Sequence, residues 1–145
     1  MALTEDELNE ESEKVDSTSE EVLLRRVNHY YKIKDYINFY ENYYKLSKDS
    51  KNSKEQLLQK FDVDKNVRNY GGALDAIEKL ISISNEDIKL YEDKISILEK
   101  FNDFQRIKEV YTEMLKIWPD DPEIKSRIDK LPKSRNRSQK SFNAF

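Results

Sequence analysis

One pattern is written three times in this chain at a fixed spacing. Asp35-Tyr36, Asn69-Tyr70 and Asp103-Phe104 lie 34 residues apart at each step. Apolar positions keep the same step: Phe39, Ala73 and Ile107, then Tyr43, Ile77 and Tyr111, then Leu46, Leu80 and Met114. Upstream, Leu23, Leu57 and Tyr91 are in register, as are Val27, Phe61 and Ile95, and Ile33, Val67 and Phe101. A period between about 20 and 50 residues marks stacked supersecondary units, none of which buries its apolar face alone. The stretch DFQRIKEVYTEMLKIWP, Asp103 to Pro119, carries the pattern most completely.

Within each period the spacing predicts two helices. Ile88, Tyr91, Ile95 and Leu98 step by three and four residues and draw one apolar stripe. The stripe resumes after Asn102-Asp103 with Phe104, Ile107, Tyr111, Met114 and Leu115, and a short polar joint between two such stripes makes a helical hairpin. Thr18 with Glu21 reads as a capping box that starts a helix near Glu20 and carries it to Ile33, and a second helix spans about Tyr36 to Leu46. Ser47 to Ser53, SKDSKNS, reads as a polar loop, and Ser53 with Gln56 as the next capping box. The stretch DVDKNVRN that follows is a poor helix former, because β-branched and short polar side chains compete for the backbone. Gly71-Gly72 reads as a close interhelix turn; a phosphate cradle would need a strand and a lysine that this context lacks. Asn85 is the expected cap of the fifth helix. Asp121 with Pro122 starts a last one, whose stripe of Ile124, Ile128 and Leu131 would cover the end of the stack before Pro132 ends it. The expectation is seven helices between Glu20 and Leu131, with no sheet.

These residues resemble three tandem tetratricopeptide (TPR) repeats over about 20–131, best in NDFQRIKEVYTEMLKIWPDDP, where Phe104, Tyr111 and Pro119 stand at family positions. Tyr70-Gly-Gly-Ala73, Ile77 and Leu80 match in the second repeat, and Asp35-Tyr36 and Tyr43 in the first. The resemblance implies an all-α fold of tandem antiparallel hairpins, a right-handed α-solenoid with a C-terminal capping helix. The family favours small residues where this chain has Val27, Phe61 and Ile95, and again where it has Phe39 and Ile107. Extra volume at a close helix contact pushes the helices apart, so splayed hairpins are expected. The half-a-TPR repeats of RNA-processing factors have a similar length and are the alternative resemblance.

Composition narrows the function classes. Cysteine is absent from all 145 residues, which excludes disulfides and thiol catalysis and fits an intracellular protein of the cytoplasm or nucleus. No apolar run approaches the ~20 residues of a membrane span, and the acidic N-terminus lacks the positive start of a signal peptide. Charge is uneven: −6 over residues 1–18, +4 over 132–145, and about −1 between them. The acidic head is expected to be disordered and the basic tail flexible, with one folded body over 19–131. The only histidine, His29, has no catalytic partner at a suggestive spacing, and no cluster has metal-ligand spacing. No enzyme activity, cofactor, metal or small-molecule substrate is expected.

What remains is a surface. Stacked hairpins make a concave groove lined by the first helix of each pair. Its expected lining is Leu24, Arg25, Asn28, Tyr31 and Lys32 from the first repeat, Leu58, Gln59, Asp62 and Lys65 from the second, and Lys89, Glu92, Asp93 and Ser96 from the third. The expected partner is a protein segment, a peptide or helix, held by an adaptor or assembly factor. One TPR subtype clamps the C-terminal carboxylates of heat-shock chaperones with lysine, asparagine and arginine. By resemblance Asn28 and Lys89 match that clamp, whereas Leu24, Gln59 and Asp93 depart from it, and Asp93 would repel the carboxylate. The alternative function is a ribonucleoprotein factor whose tail, KSRNRSQK, contacts phosphate; the near-neutral body argues against nucleic-acid binding by the fold itself.

Overall fold

A computed structural model describes residues 19–132. The expectations for the acidic head and for the tail beyond Pro132 lie outside the described residues. Among those residues there are eight helices and no strand: α1 (Glu20–Lys32), α2 (Tyr36–Tyr43), α3 (Lys48–Lys51), α4 (Lys54–Asn66), α5 (Tyr70–Ile83), α6 (Ile88–Lys100), α7 (Phe104–Ile117) and α8 (Pro122–Asp129). The fold is all-α, with consecutive helices packed together.

The repeat is visible in the backbone as one joint used three times. Lys34, Arg68 and Asn102, spaced by the same 34 residues, have positive φ of 61°, 63° and 52°. Each follows a helix end, and the next residue turns back onto that helix. The N–H groups of Asp35, Asn69 and Asp103 bond the carbonyls of Tyr30, Asp64 and Leu98 at 3.0, 2.7 and 3.2 Å. Those of Lys34, Arg68 and Asn102 bond Tyr31, Lys65 and Glu99 at 3.2, 3.1 and 3.1 Å. This pair of bonds around a left-handed residue satisfies carbonyls that a helix end leaves open. Asp35, Asn69 and Asp103 then cap the following helix, accepting from Asn38, Gly72 and Arg106 N–H at 3.2, 3.1 and 3.2 Å. One residue thus closes one helix and opens the next.

Five of the six apolar rows in the 34-residue register are buried throughout, among them Phe39, Ala73 and Ile107 at 0, 0 and 1% exposure. The sixth row, Ile33, Val67 and Phe101, is exposed. Ile33 and Phe101 are the C-cap residues of α1 and α6, where the chain leaves the helix surface ahead of the left-handed turn. That row repeats for the joint and not for the core.

Three local expectations are corrected. Ser19, not Thr18, caps α1, accepting from Val22 N–H at 3.3 Å. SKDSKNS is not a plain loop: Ser47 accepts from Ser50 N–H at 3.2 Å and starts α3, and Ser53 donates its hydroxyl to the Ser50 carbonyl at 2.8 Å. Asp87, not Asn85, caps α6, accepting from Lys89 N–H at 3.1 Å, while the Asn85 carbonyl takes the Tyr91 hydroxyl at 2.8 Å. The helix expected through Leu57, Leu58, Phe61 and Val67 forms and runs to Asn66 despite the weak propensity of DVDKNVRN, with Val63 and Asp64 fully buried. The Gly71-Gly72 expectation resolves onto one residue. A Cβ on Gly72 would lie 2.6 Å from Asp64 Oδ2 and 2.7 Å from the capping Asn69, whereas Gly71 faces open space.

The described chain divides into two compact units between Val63 and Asp64. In unit one, α1 packs on α2 around Leu23, Val27, Tyr30, Phe39, Tyr43, Leu46 and Val63. Phe39 is the hub, 5.6 Å from a stacked Tyr43 and 5.7 Å from an edge-on Tyr40. Both carboxylate oxygens of Glu20 accept from the Ser47 N–H at 3.0 Å, which ties the start of α1 to the start of α3 and lowers the Glu20 pKa. In unit two, α5 packs on α6, α6 on α7 and α7 on α8. Asp121 caps α8 as expected, with Pro122 in its first turn, and Ile124 is buried. Tyr111 of α7 is 6% exposed and lines one small space with Ile124 and Arg127 of α8.

Two stability outcomes follow. Lys34→Gly should raise the urea midpoint by the equivalent of ~0.5–1 kcal/mol, because glycine removes the left-handed penalty without touching a packed side chain. Tyr111→Ala should cost ~3–5 kcal/mol, the usual loss for a buried aromatic, and equilibrium urea unfolding checks both.

Candidate partner-binding surfaces

In unit one a polar seam joins α1 to α4. The Gln59 amide donates to Asn28 Oδ1 at 2.9 Å and the Gln56 amide donates to the same oxygen at 3.4 Å. One turn further along both helices, the Tyr31 hydroxyl donates to Asp62 Oδ2 at 2.8 Å. Four of the expected groove residues, Asn28, Tyr31, Gln59 and Asp62, are therefore brought together, but they face each other. Gln59 is buried, and Leu24 and Tyr31 lie half-buried against the core. The reason is geometric: α1 meets α2 with one stripe and α4 with its flank, so residues beside the stripe become a second contact. Leu58, at 42% exposure, and Lys32 do face solvent, and Arg25 is held to Glu21 at 3.2 Å.

Burial comes first, and then the bond to Asp62, in pushing the Tyr31 pKa up to about 12. The neutral phenol is the form that the fold prefers. Tyr31 therefore contributes its full stabilisation below the ordinary tyrosine range near ~10, and loses it as pH rises from there through about 12.

The remaining expected residues belong to unit two. Lys65, Lys89 and Glu92 are exposed on α4 and α6. Lys89 Nζ lies 3.4 Å from Asp93 Oδ1, one turn along α6, and the Ser96 hydroxyl donates to the Asp93 carbonyl at 2.8 Å. The cation that matches the carboxylate clamp is thus already beside the acid that departs from it.

Two features were not anticipated. In unit one the Lys60 ammonium lies 5.8–6.0 Å from the ring centres of Tyr40, Tyr43 and Tyr44, with Lys60 only 9% exposed. The cation–π attraction offsets part of the cost of burying that charge. The tyrosine-rich hairpin is thereby used for packing, and its i, i+3, i+4 tyrosines were the available signal. In unit two, Ile81, Tyr91, Lys94, Arg106, Glu109, Val110 and Glu113 line a cavity of ≈ 410 Å³. It is built from α5, α6 and α7, and its charged contacts join helices 16 and 28 residues apart in sequence, beyond the reach of periodicity. His29 packs edge-on against Tyr30 at 5.3 Å. Among the described residues no group of three or more histidine, aspartate or glutamate side chains is placed to hold a metal ion, and no helix is long and apolar enough to cross a membrane.

Compared with protein-family models the chain matches none, and no curated protein matches it.

An absorbance titration of tyrosine should contain a component ionising at about 12, and Tyr31→Phe should remove that component. The same variant should lose about 1 kcal/mol near neutral pH, the worth of one hydrogen bond, with less loss as pH passes the range in which wild type itself loses the bond.

Proposed function

We propose that this chain is a non-catalytic protein-interaction module, an adaptor or assembly factor of the tetratricopeptide kind, which takes a segment of a partner protein on its helical surface. The observation that carries this reading is the pre-formed seam of unit one. Asn28–Gln59 and Tyr31–Asp62 hold α1 and α4 together, and Leu58, next to Gln59 in the chain, is left in solvent. A face whose polar groups are already bonded loses little freedom when a partner lands on it. An exposed leucine among fixed polar groups is the kind of apolar anchor point that helix-in-groove recognition uses.

Chaperone tails ending in EEVD do not suit the residues that would have to clamp them. Asn28 Oδ1 already accepts two amides, and Lys89 is paired with Asp93. Leu24 and Asp93 replace two cations of the clamp and add a repulsion. Charged hydrogen bonds contribute ~1.5–3 kcal/mol each, so losing two removes micromolar affinity.

Affinity capture from nuclease-treated extract tests the reading. The expected result is a protein retained by wild type and lost with Leu58→Asp, with helical circular dichroism unchanged. Retention that disappears on nuclease treatment would instead favour the ribonucleoprotein reading. Calorimetric titration with an EEVD peptide should give no saturable micromolar binding, and saturable binding would overturn the argument from Asp93.

A further inference from the structure

Each repeat puts a solvent-facing residue at the second position of its second helix and another seven residues on. In repeats two and three these are Gly71 with Glu78 and Gln105 with Thr112, small or polar residues left in water. Repeat one has Ile37 and Tyr44 instead, 82% and 59% exposed. Seven residues are close to two helical turns, so both lie on the outer face of α2, opposite the side that buries Phe39 and Asn42. Tyr40 stacks on Tyr44 at 5.9 Å and widens the strip. Exposed apolar groups gathered in one strip and rimmed by charge mark a contact site, where single ones do not.

The rim is basic at both ends. Lys34 precedes α2, and Lys45, Lys48 and Lys51 follow it, with the Lys51 ammonium 3.5 Å from the Tyr44 carbonyl. Two of the nearby acids are already engaged: Asp35 caps α2, and Glu20 accepts from the Ser47 N–H. Glu41 and Asp49 remain against those four lysines. Glu41 is the acid that every repeat keeps at this position, with Asp75 and Glu109 as its counterparts.

The Glu20–Ser47 contact also fixes where the acidic head joins the fold. The described residues begin at Ser19, so the head enters beside the start of α3, three residues past Tyr44. Residues 1–18 carry seven acids and one lysine, with Leu3, Leu8 and Val15 among them. Residues 19–63 carry nine cations and seven acids, net +2, whereas residues 64–132 are net −3 and the tail is net +4. Charge therefore directs the head to unit one, away from unit two, and disqualifies the tail from this rim. Eighteen residues reach ~27 Å even if coiled as a helix, and α2 is only ~12 Å long.

We propose that the acidic segment 1–18 covers the outer face of α2, its carboxylates meeting Lys34, Lys45, Lys48 and Lys51 and its apolar residues meeting Ile37 and Tyr44. A tethered segment meets its site at an effective concentration of roughly millimolar, so contacts too weak to hold a free peptide suffice. The cover is autoinhibitory: a partner segment reaching this face must displace the head first. The inference goes beyond the Leu58 reading and does not rest on it.

The chain has no cysteine, so Ser12→Cys puts one nitroxide label on the head of the full chain, and amide relaxation reads what the label approaches. The expected enhancement is greatest at Ile37, Glu41 and Tyr44 and smaller at Leu58 and throughout unit two. It should fall at least about threefold in ~0.5 M sodium chloride, with Lys45→Glu, Lys48→Glu and Lys51→Glu together, or with Ile37→Asp. These side chains are at the surface, so circular dichroism should stay that of wild type. Enhancement equal over both units, as strong at Leu58 as at Tyr44, or insensitive to salt and to lysine reversal would overturn the proposal. Enhancement that grows with protein concentration would also overturn it and assign the contact to a second copy. A synthetic peptide of residues 1–18 supplies the second measurement. It should bind the full chain carrying Glu10→Lys, Glu11→Lys and Glu13→Lys at least about threefold more tightly than wild type, whose own head competes. Equal binding to the two chains, or none to either, would overturn the cover.

Discussion

The left-handed residue between paired helices is the constraint on which the rest depends. A chain that leaves a helix must satisfy open carbonyls and reverse direction before the next apolar stripe begins. Here Lys34, Arg68 and Asn102 do both by adopting positive φ, and the residue that follows each becomes the next N-cap. The joint fixes how many residues separate the last turn of one helix from the first turn of the next. The apolar rows on either side can only interdigitate at that spacing, so an insertion of one residue would rotate the second stripe by about 100° off its partner. Two of the three positions carry long basic side chains instead of glycine. Their strain is tolerated because the surrounding caps and buried rows over-determine the turn.

Burial of charge is handled by a different device in each unit. Unit one places Lys60 against three tyrosine faces, so that a cation sits near the core without a water shell of its own. Unit two keeps its cross-helix charges at the surface, where Glu78 bridges Lys94 on α6 and Arg106 on α7 with side chains 22–45% exposed. Exposed pairs of that kind add ~1 kcal/mol or less. Their value here is register, since one carboxylate on α5 reaches one turn of α6 and one turn of α7.

The repeat period carried most of the architecture because it is a local property written three times. Asp35, Asn69 and Asp103 could be found as caps from spacing alone, and the five buried rows could be found from their shared register. What was not legible follows from that same dependence on locality. The row Ile33, Val67 and Phe101 has the period of a core row, but it serves the joint, and no pattern within one helix separates those roles. α3 was missed because a four-residue helix has no stripe to read. Asn85 and Asp87 both stand where a cap is plausible, and it is the Asp87 carboxylate that accepts from Lys89 N–H, while the Asn85 carbonyl takes the Tyr91 hydroxyl. The candidate surfaces were the least legible. Gln59 and Tyr31 sit beside the stripe and look solvated in one dimension, yet each reaches a partner 31 residues away across a helix seam.

Helix α7 shows how one short sequence serves both a packed core and a cavity wall. Its inner face gives Ile107, Tyr111 and Met114 to the core, all nearly fully buried. Its flank gives Arg106, Glu109 and Glu113 to the cavity, and Val110 stands on the border between the two. A helix presents a different residue type every ~100° of rotation, so the two roles occupy separate sectors and constrain different residues. Tyr111 is buried where α7 meets α8, beside Ile124, so its loss would open the contact between those helices. Glu109 is exposed and has no ion-pair partner among the described residues. The outer sector of α7 can therefore change its charges without disturbing the packed rows of the inner one.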